Sequence, residues 1–492
     1  MQEQRRGQEL YHDIFGSVLD RDAMTPYLLK DSHNYEKSIR QATCMMANRG
    51  FGVDGDGLAA GERERALAFV FQARDYFKHS LFPFVRRQLR NLAGLNSPRA
   101  QLYAKCLSEL DEIEGIIFNP EFSSLVAEDP RHLFLMSSSA KYADLFSGYR
   151  GQGLAVPREW QKAACAILKM CHLVKSIEED SQDIADYAQL GFFLQRNAVS
   201  LVGLFSFNWD DENLVPEEES ARRAYVKLAA FFKKLGSSTS YNKARGTYVF
   251  DSGDGVRVEI AGVMARLKSP ESMFAKLGKS VEGEAYDIRD ILAITFLLNN
   301  RDDTLTLFHA LQKQGLILQE NTASASITQT IFTCPDDMQE AVHRLMLNLA
   351  RSEGRQEAPS PTELREQTAG FFEALSVNGK GNPHSSAGHQ KFQCKISYSV
   401  PIQYDAKTRE VLLPGADPVS GSFVTRQGTL PVEIRISDRQ TWDSSETKGE
   451  AHHDAYKLRQ LLPLCNRLFA PLFLFPRDAE PGLRADQALL FP

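Results

Sequence analysis

The sequence predicts an α+β chain, in which a mostly α-helical domain precedes a domain built on a mixed β-sheet with flanking helices. Three observations carry this. Up to about Arg196 the apolar residues return every three or four positions, which is the period of a helix. After an acidic stretch at 208–220 the pattern becomes alternating, beginning with two short extended runs around a glycine-rich turn. From there strands and helices are interspersed, as they are when helices pack on a mixed sheet. At 492 residues the chain also exceeds what one hydrophobic core usually serves.

In chain order, Leu67, Val70, Phe71 and Phe77 mark one early helix, and Trp160, Ala164, Ile167, Cys171 and Val174 another. The stretch 208–220 (NWDDENLVPEEES) joins a run of acids to a proline and reads as a solvated connector. The expected division is therefore a helical domain at 1–207, a linker at 208–222, the mixed domain at 223–478 and a tail at 479–492. A helix is expected over 221–235, then a hairpin from 246–250 through Asp251-Ser252-Gly253-Asp254-Gly255 to the alternating Val256, Val258 and Ile260. The apolar run 288–298 reads as a strand, 303–314 as a helix ended by Gly315, and 316–318 as a short strand. Helices at 336–352 and 362–374, strands at 392–402 and 430–436, a closing helix at 450–462 and an extended run at 468–475 complete the reading.

Composition narrows the function. No run approaches the ~20 apolar residues of a membrane span, and with a charged start and no apolar stretch behind it, no secretory signal is expected. The expected location is the cytoplasm, with no membrane partner. Seven cysteines, an odd number without C-x-x-C spacing, read as reduced core thiols. A net charge of -6 argues against a broad nucleic-acid surface, but a local basic pocket for a phosphorylated small molecule remains compatible with it.

The stretch from Arg266 to Lys276 (RLKSPESMFAK) is the most informative. Ser269 is a natural N-cap and Pro270 a natural first helical residue, so a helix should start directly after a strand. Arg266 and Lys268 alternate to one side of that strand, while Ser272 and Lys276 share a helical face. Such a set can surround a polyphosphate at a helix N-terminus. A solvated corner with surface lysines fits the same spacing. Further on, Asp290 leads into the apolar run of a buried strand, and Glu433 stands among Val432, Ile434 and Ile436. An acid from each of two strands could hold magnesium, which takes one or two protein carboxylates plus substrate phosphates. Alternation equally allows Glu433 and Arg435 to lie on the solvent face of an edge strand.

Arg266-x-Lys268-x-x-x-Ser272-x-x-x-Lys276, Asp290-Ile-Leu-Ala-Ile, Val432-Glu433-Ile434-x-Ile436 and His453-x-x-Tyr456-Lys457 together resemble, in order, successive motifs of the RelA/SpoT-type alarmone (ppGpp) synthetases. The match runs from about 246 to 457, with a divergent middle at 318–380. It implies a nucleotidyltransferase-like synthetase domain that moves the pyrophosphate of ATP onto the 3'-hydroxyl of GDP or GTP, with Mg2+. In that scheme Arg266, Lys268, Ser272 and Lys276 hold the ATP phosphates, Asp290 binds the metal, and Glu433 sits by metal and hydroxyl as ligand or base. Arg435, Asn382, His384 and His389 fall to the acceptor, His384 standing in for the family's base-stacking tyrosine.

The chain also departs from the family. Thr295 and Ser437 occupy places where the family carries arginine, and the acceptor loop is only echoed by 382–389. A catalytically silent nucleotide sensor, or a toxin-like relative acting on tRNA 3' ends, are the alternatives this leaves. The hydrolase of long family members is not expected: His12-Asp13 has no histidine upstream, and His453-Asp454 falls in the last motif. Homo-oligomerisation is left open.

Overall fold

The computed structural model describes residues 60–128, 130, 132–133, 157–179, 182–279, 288–318, 327–354, 360–376, 390–413, 415–447, 452–470 and 472–491. They are mixed α+β, and no helix among them is long and apolar enough to cross a membrane. They fall into two compact units, each assembled from separated stretches. The first takes those within Met1–Asp180, Glu271–Ala285 and His452–Pro492, and the second those within Ser181–Pro270 and Tyr286–Ala451.

In the first unit every described regular element is a helix. The early helix Ala60–Tyr76 buries Ala66, Phe69, Val70, Ala73 and Tyr76, whereas Phe71, expected on its apolar stripe, is 55% exposed. A wider π turn, Phe77–Leu81, links it to Phe82–Ala93. Pro83 has no N–H to give to the preceding turn and crowds its carbonyl, which favours the wider turn there. Arg158–Glu179 is buried along Ala163, Ala164, Ala166, Ile167 and Leu168, far more broadly than the expected stripe, so it is a central helix. Cys106, Cys165, Cys171 and Cys465 are buried and unbridged, as expected of core thiols. The helix His453–Phe469 outruns its expected end at 462 and places Phe469 against Phe77 and Phe82. The described residues of 468–475 form no strand: Asn466 instead clasps the backbone of Phe475, donating to its carbonyl at 2.8 Å and accepting from its N–H at 2.7 Å.

The second unit holds a seven-stranded mixed sheet in the order β1-β2-β3-β4-β7-β6-β5. Its strands are β1 (Thr239–Asn242), β2 (Thr247–Asp251), β3 (Arg257–Leu267), β4 (Leu292–Leu298), β5 (Ile327–Gln329), β6 (Phe392–Asp405) and β7 (Phe423–Asp438). Only β4 and β7 pair in parallel. The expected hairpin is present, with Gly253 and Gly255 in the left-handed region its turn requires. The stretch expected as a strand at 316–318 is a turn after Gly315, with Leu316 and Ile317 buried.

One face of this sheet is apolar and carries Leu292, Ile294, Val432, Ile434, Ile436, Cys394 and Ile396, all buried. Helices Glu219–Ser237 and Thr304–Lys313 pack on it, with Phe231 against Tyr398 and Phe308 against Phe392. The acidic stretch 208–220 runs within this unit, where Trp209 stacks on Phe232 at 5.1 Å and accepts a hydrogen bond from Tyr225. Beyond the sheet proper, β6 and β7 continue as a two-stranded ribbon to Asp405 and Phe423. Gly428 lets Glu219–Ser237 approach it closely, because a Cβ there would lie 2.6 Å from Ile402 and 2.8 Å from Lys227.

Candidate functional site

Strand pairing decides what stands beside what on the other face of the sheet. Arg266 on β3 is opposite Ala293 on β4, which is opposite Glu433 on β7, which is opposite Lys395 on β6. The next row runs Met264, Thr295, Arg435, Gln393. Residues directly opposite share a face, so these eight side chains lie on one surface with Glu433 in its middle.

Glu433 is on an interior strand and is 3% exposed. The edge-strand alternative is thereby set aside: β7 is flanked by β4 and β6. A carboxylate buried to this degree needs partners. Gln393 donates to Oε2 at 2.7 Å, while the Arg435 guanidinium reaches Oε1 through Nε at 2.6 Å and a terminal nitrogen at 2.5 Å. Burial alone would push the carboxyl up. The positive charges of Arg435, Lys391 and Lys395 prevail and hold it below its ordinary value, against an opposing push from Asp290.

Asp290 comes just before β4, at the point where β3 ends. Lys268 donates its backbone N–H to the carbonyl of Ile291 at 2.7 Å, and its ammonium lies 2.7 Å from Asp290 Oδ2. The negative charge of Asp290 opposes ionisation of Glu433. Arg266, by contrast, is exposed at the end of its row. Thr295 and Ser437 are buried, and the Ser437 hydroxyl donates to the carbonyl of Gln390 at 3.3 Å.

The second unit thus brings together Arg266, Lys268, Asp290, Glu433 and Arg435. Helix Pro270–Lys279 starts where the Ser269-Pro270 signal puts it. Its Ser272 and Lys276 stand one turn apart and half-buried, and belong to the first unit. So do Tyr456 and Lys457, the latter with its ammonium 4.7 Å from the centre of the Phe84 ring. Asn382, His384 and His389 lie outside the described residues.

Gln393, Lys391 and Lys395 are the site residues that motif reading missed. The alternation Phe392-Gln393-Cys394-Lys395-Ile396 did signal a strand with one polar face. Its partner strand and register are not written in that pattern.

No cluster of three or more metal-binding side chains occurs among the described residues. Two carboxylates suffice for magnesium, which relies on water and substrate phosphates for its other ligands. The donor chemistry fits: both are hard oxygen ligands, and their mutual repulsion is balanced by Lys268 and Arg435 at present. No family model, curated protein or solved structure matches this chain.

Proposed function

We propose that the polar face of the sheet is the active site of an ATP-dependent pyrophosphotransferase with a RelA/SpoT-like, nucleotidyltransferase-type synthetase domain, making a (p)ppGpp-like alarmone from GDP or GTP. The observation that carries this reading is the convergence of separate motifs in the second unit: Lys268 paired with Asp290 and Arg435 paired with the buried Glu433. Asp290 and Glu433 would hold Mg2+, whose role when bound is to neutralise charge on the transferred phosphates. Arg266 and Lys268 are assigned to the ATP phosphates. Arg435 is assigned to the acceptor side.

The acceptor's 3'-oxygen forms a bond to the β-phosphorus of ATP. The bond from that phosphorus to the α–β bridging oxygen breaks, and AMP departs with the electron pair. The hydroxyl proton is lost to Glu433 or to solvent. A carboxyl held below its ordinary value is ionised at neutral pH and accepts a hydrogen bond well, but it is a weak base. Glu433 is therefore better suited to orienting the hydroxyl and binding the cation than to removing the proton outright. Most of the rate enhancement then rests on positioning and charge neutralisation, as in other phosphoryl transfers.

A catalytically silent nucleotide sensor is the second reading, and the buried Thr295 and Ser437 favour it, since they stand on this same face where the family carries arginine. The deciding experiment incubates the protein with magnesium and γ-labelled ATP, offering GDP, GTP, ADP or tRNA in parallel. A labelled product that disappears in Asp290→Asn and Glu433→Gln establishes the enzyme and names its acceptor. Labelling of tRNA alone would point to the toxin-like relative. ATP binding without transfer to any acceptor would favour the sensor.

A further inference from the structure

At the outer part of the β6–β7 ribbon lies an open cavity of about 460 Å³, lined by Glu219, Arg223, Tyr404, Arg409, Val424 and Arg426. Its guanidinium groups come from three places: the start of helix Glu219–Ser237, the turn after β6, and β7. Arg223 is fixed by two hydrogen bonds to the buried Asp186, at 2.8 Å each, and has Glu219 at 3.6 Å. Arg426 lies over the Tyr404 ring, 5.3 Å from its centre. Among the described residues neither Arg409 nor Arg426 forms an ion pair with an acid, and Glu219 is the one acid in the described lining.

The turn that carries Arg409 is tightly tied. Asp405 accepts from the backbone N–H groups of Lys407, Thr408 and Ser420 at 2.7–2.9 Å, and Arg409 itself sits at φ 66°. That left-handed conformation is one a non-glycine residue seldom adopts. Arg409 and Arg426, held beside the Asp186-paired Arg223 in a concavity of this size, suit a phosphate-bearing ligand, since guanidinium forks match phosphate oxygens.

The cavity is separate from the face that holds Glu433. Arg426 and Glu433 are seven residues apart on one strand of unbroken register, roughly 23 Å at ~3.3 Å per residue. Seven is odd, so their side chains leave opposite faces.

We propose that Arg223, Arg409, Arg426 and Tyr404 form a second anion site that takes the phosphate groups of a small molecule, either free pyrophosphate or the polyphosphate of a nucleotide. It stands independently of the proposed catalytic reading. Calorimetric titration of the full chain with pyrophosphate, without divalent metal, tests it on wild type, Arg409→Ala/Arg426→Ala and Lys268→Ala. Binding should weaken about tenfold or more in the double arginine variant and persist in Lys268→Ala. In the Lys268→Ala background, ATP and adenosine then separate the sources: ATP binding that falls with the arginine pair, with adenosine inert, assigns a nucleotide polyphosphate, and pyrophosphate binding alone assigns the free anion. Both arginines are exposed, so their removal spares the core. The proposal is overturned if the double variant titrates like wild type, or if wild type binds neither pyrophosphate nor ATP at about 10 mM.

Discussion

Removing Arg435 should turn Glu433 from a satisfied ion into an isolated one. The Glu433 side chain is 5% exposed and that of Arg435 21%, so the pair is largely shielded from solvent. Breaking a buried pair by deleting one partner costs ~3–5 kcal/mol, because the remaining charge stays desolvated. Lys391, Lys395 and the Gln393 hydrogen bond persist in Arg435→Ala, which places the cost near the lower end, at about 3 kcal/mol.

The pH dependence should reverse as well. In the wild type the Glu433 carboxyl lies below its ordinary value of 4.5, so it stabilises the fold above pH 4.5 and loses that contribution as pH falls through the folded value. Without Arg435, burial prevails and the carboxyl moves above 4.5. It then destabilises the fold at neutral pH, and the penalty fades as pH is lowered through the raised value toward 4.5.

Hydrogen exchange of peptides within Phe423–Asp438, read by mass spectrometry against wild type at the same pH, reports local opening without requiring the whole chain to unfold in one step. At pH 7.5 the variant should exchange about 100-fold faster, and Arg435→Ala/Glu433→Gln should recover most of the difference. Exchange within about threefold of wild type at both neutral and acid pH would refute the argument, because Glu433 would then not be a buried charge dependent on Arg435.

Further outcomes follow from other parts of the structure. Glu433→Gln should lower pyrophosphate transfer by roughly 10²–10³-fold while keeping ATP affinity, measured by initial rates and equilibrium binding. Lys268→Ala removes the ammonium beside Asp290 and a phosphate-binding charge, so ATP affinity should fall about tenfold, which equilibrium dialysis would show. Gly428→Ala should destabilise the second unit by about 1–2 kcal/mol, seen as earlier urea unfolding of the ribbon peptides, since the new methyl meets the buried Ile402 and Lys227. Tyr187→Phe removes the hydrogen bond from the Tyr187 hydroxyl to the carbonyl of Thr429, and about 1 kcal/mol of stability with it.

Much of this fold is written in local patterns of adjacent residues. The helix at Pro270 was legible because Ser269-Pro270 is a start signal read from adjacent residues. The alternation around Glu433 was legible for the same reason, since the two faces of a strand follow from a period of two. Strand ends were less so. β7 begins at Phe423 and not near Leu430, because the ribbon residues Thr425, Arg426, Gln427 and Thr429 have no apolar alternation to betray them. They are held by cross-strand hydrogen bonds to β6, which a single segment cannot announce. The 468–475 run, apolar enough to read as a strand, finished a helix and then folded back around Asn466, because burying Phe469, Phe473 and Phe475 satisfied its hydrophobicity without a sheet.

The sequence by itself determined that the chain joins helical and mixed α/β segments, that Glu433 and Arg435 share a strand face, and which acids and cations could serve phosphate chemistry. Tertiary structure alone decided that β4 lies parallel to β7, that Glu433 is interior, that Gln393 and Lys395 attend it, and that Arg223, Arg409 and Arg426 meet at one cavity. The physical reason is range: periodicity and capping act over a few residues, whereas strand order and register are set by which distant segments bury their apolar faces together.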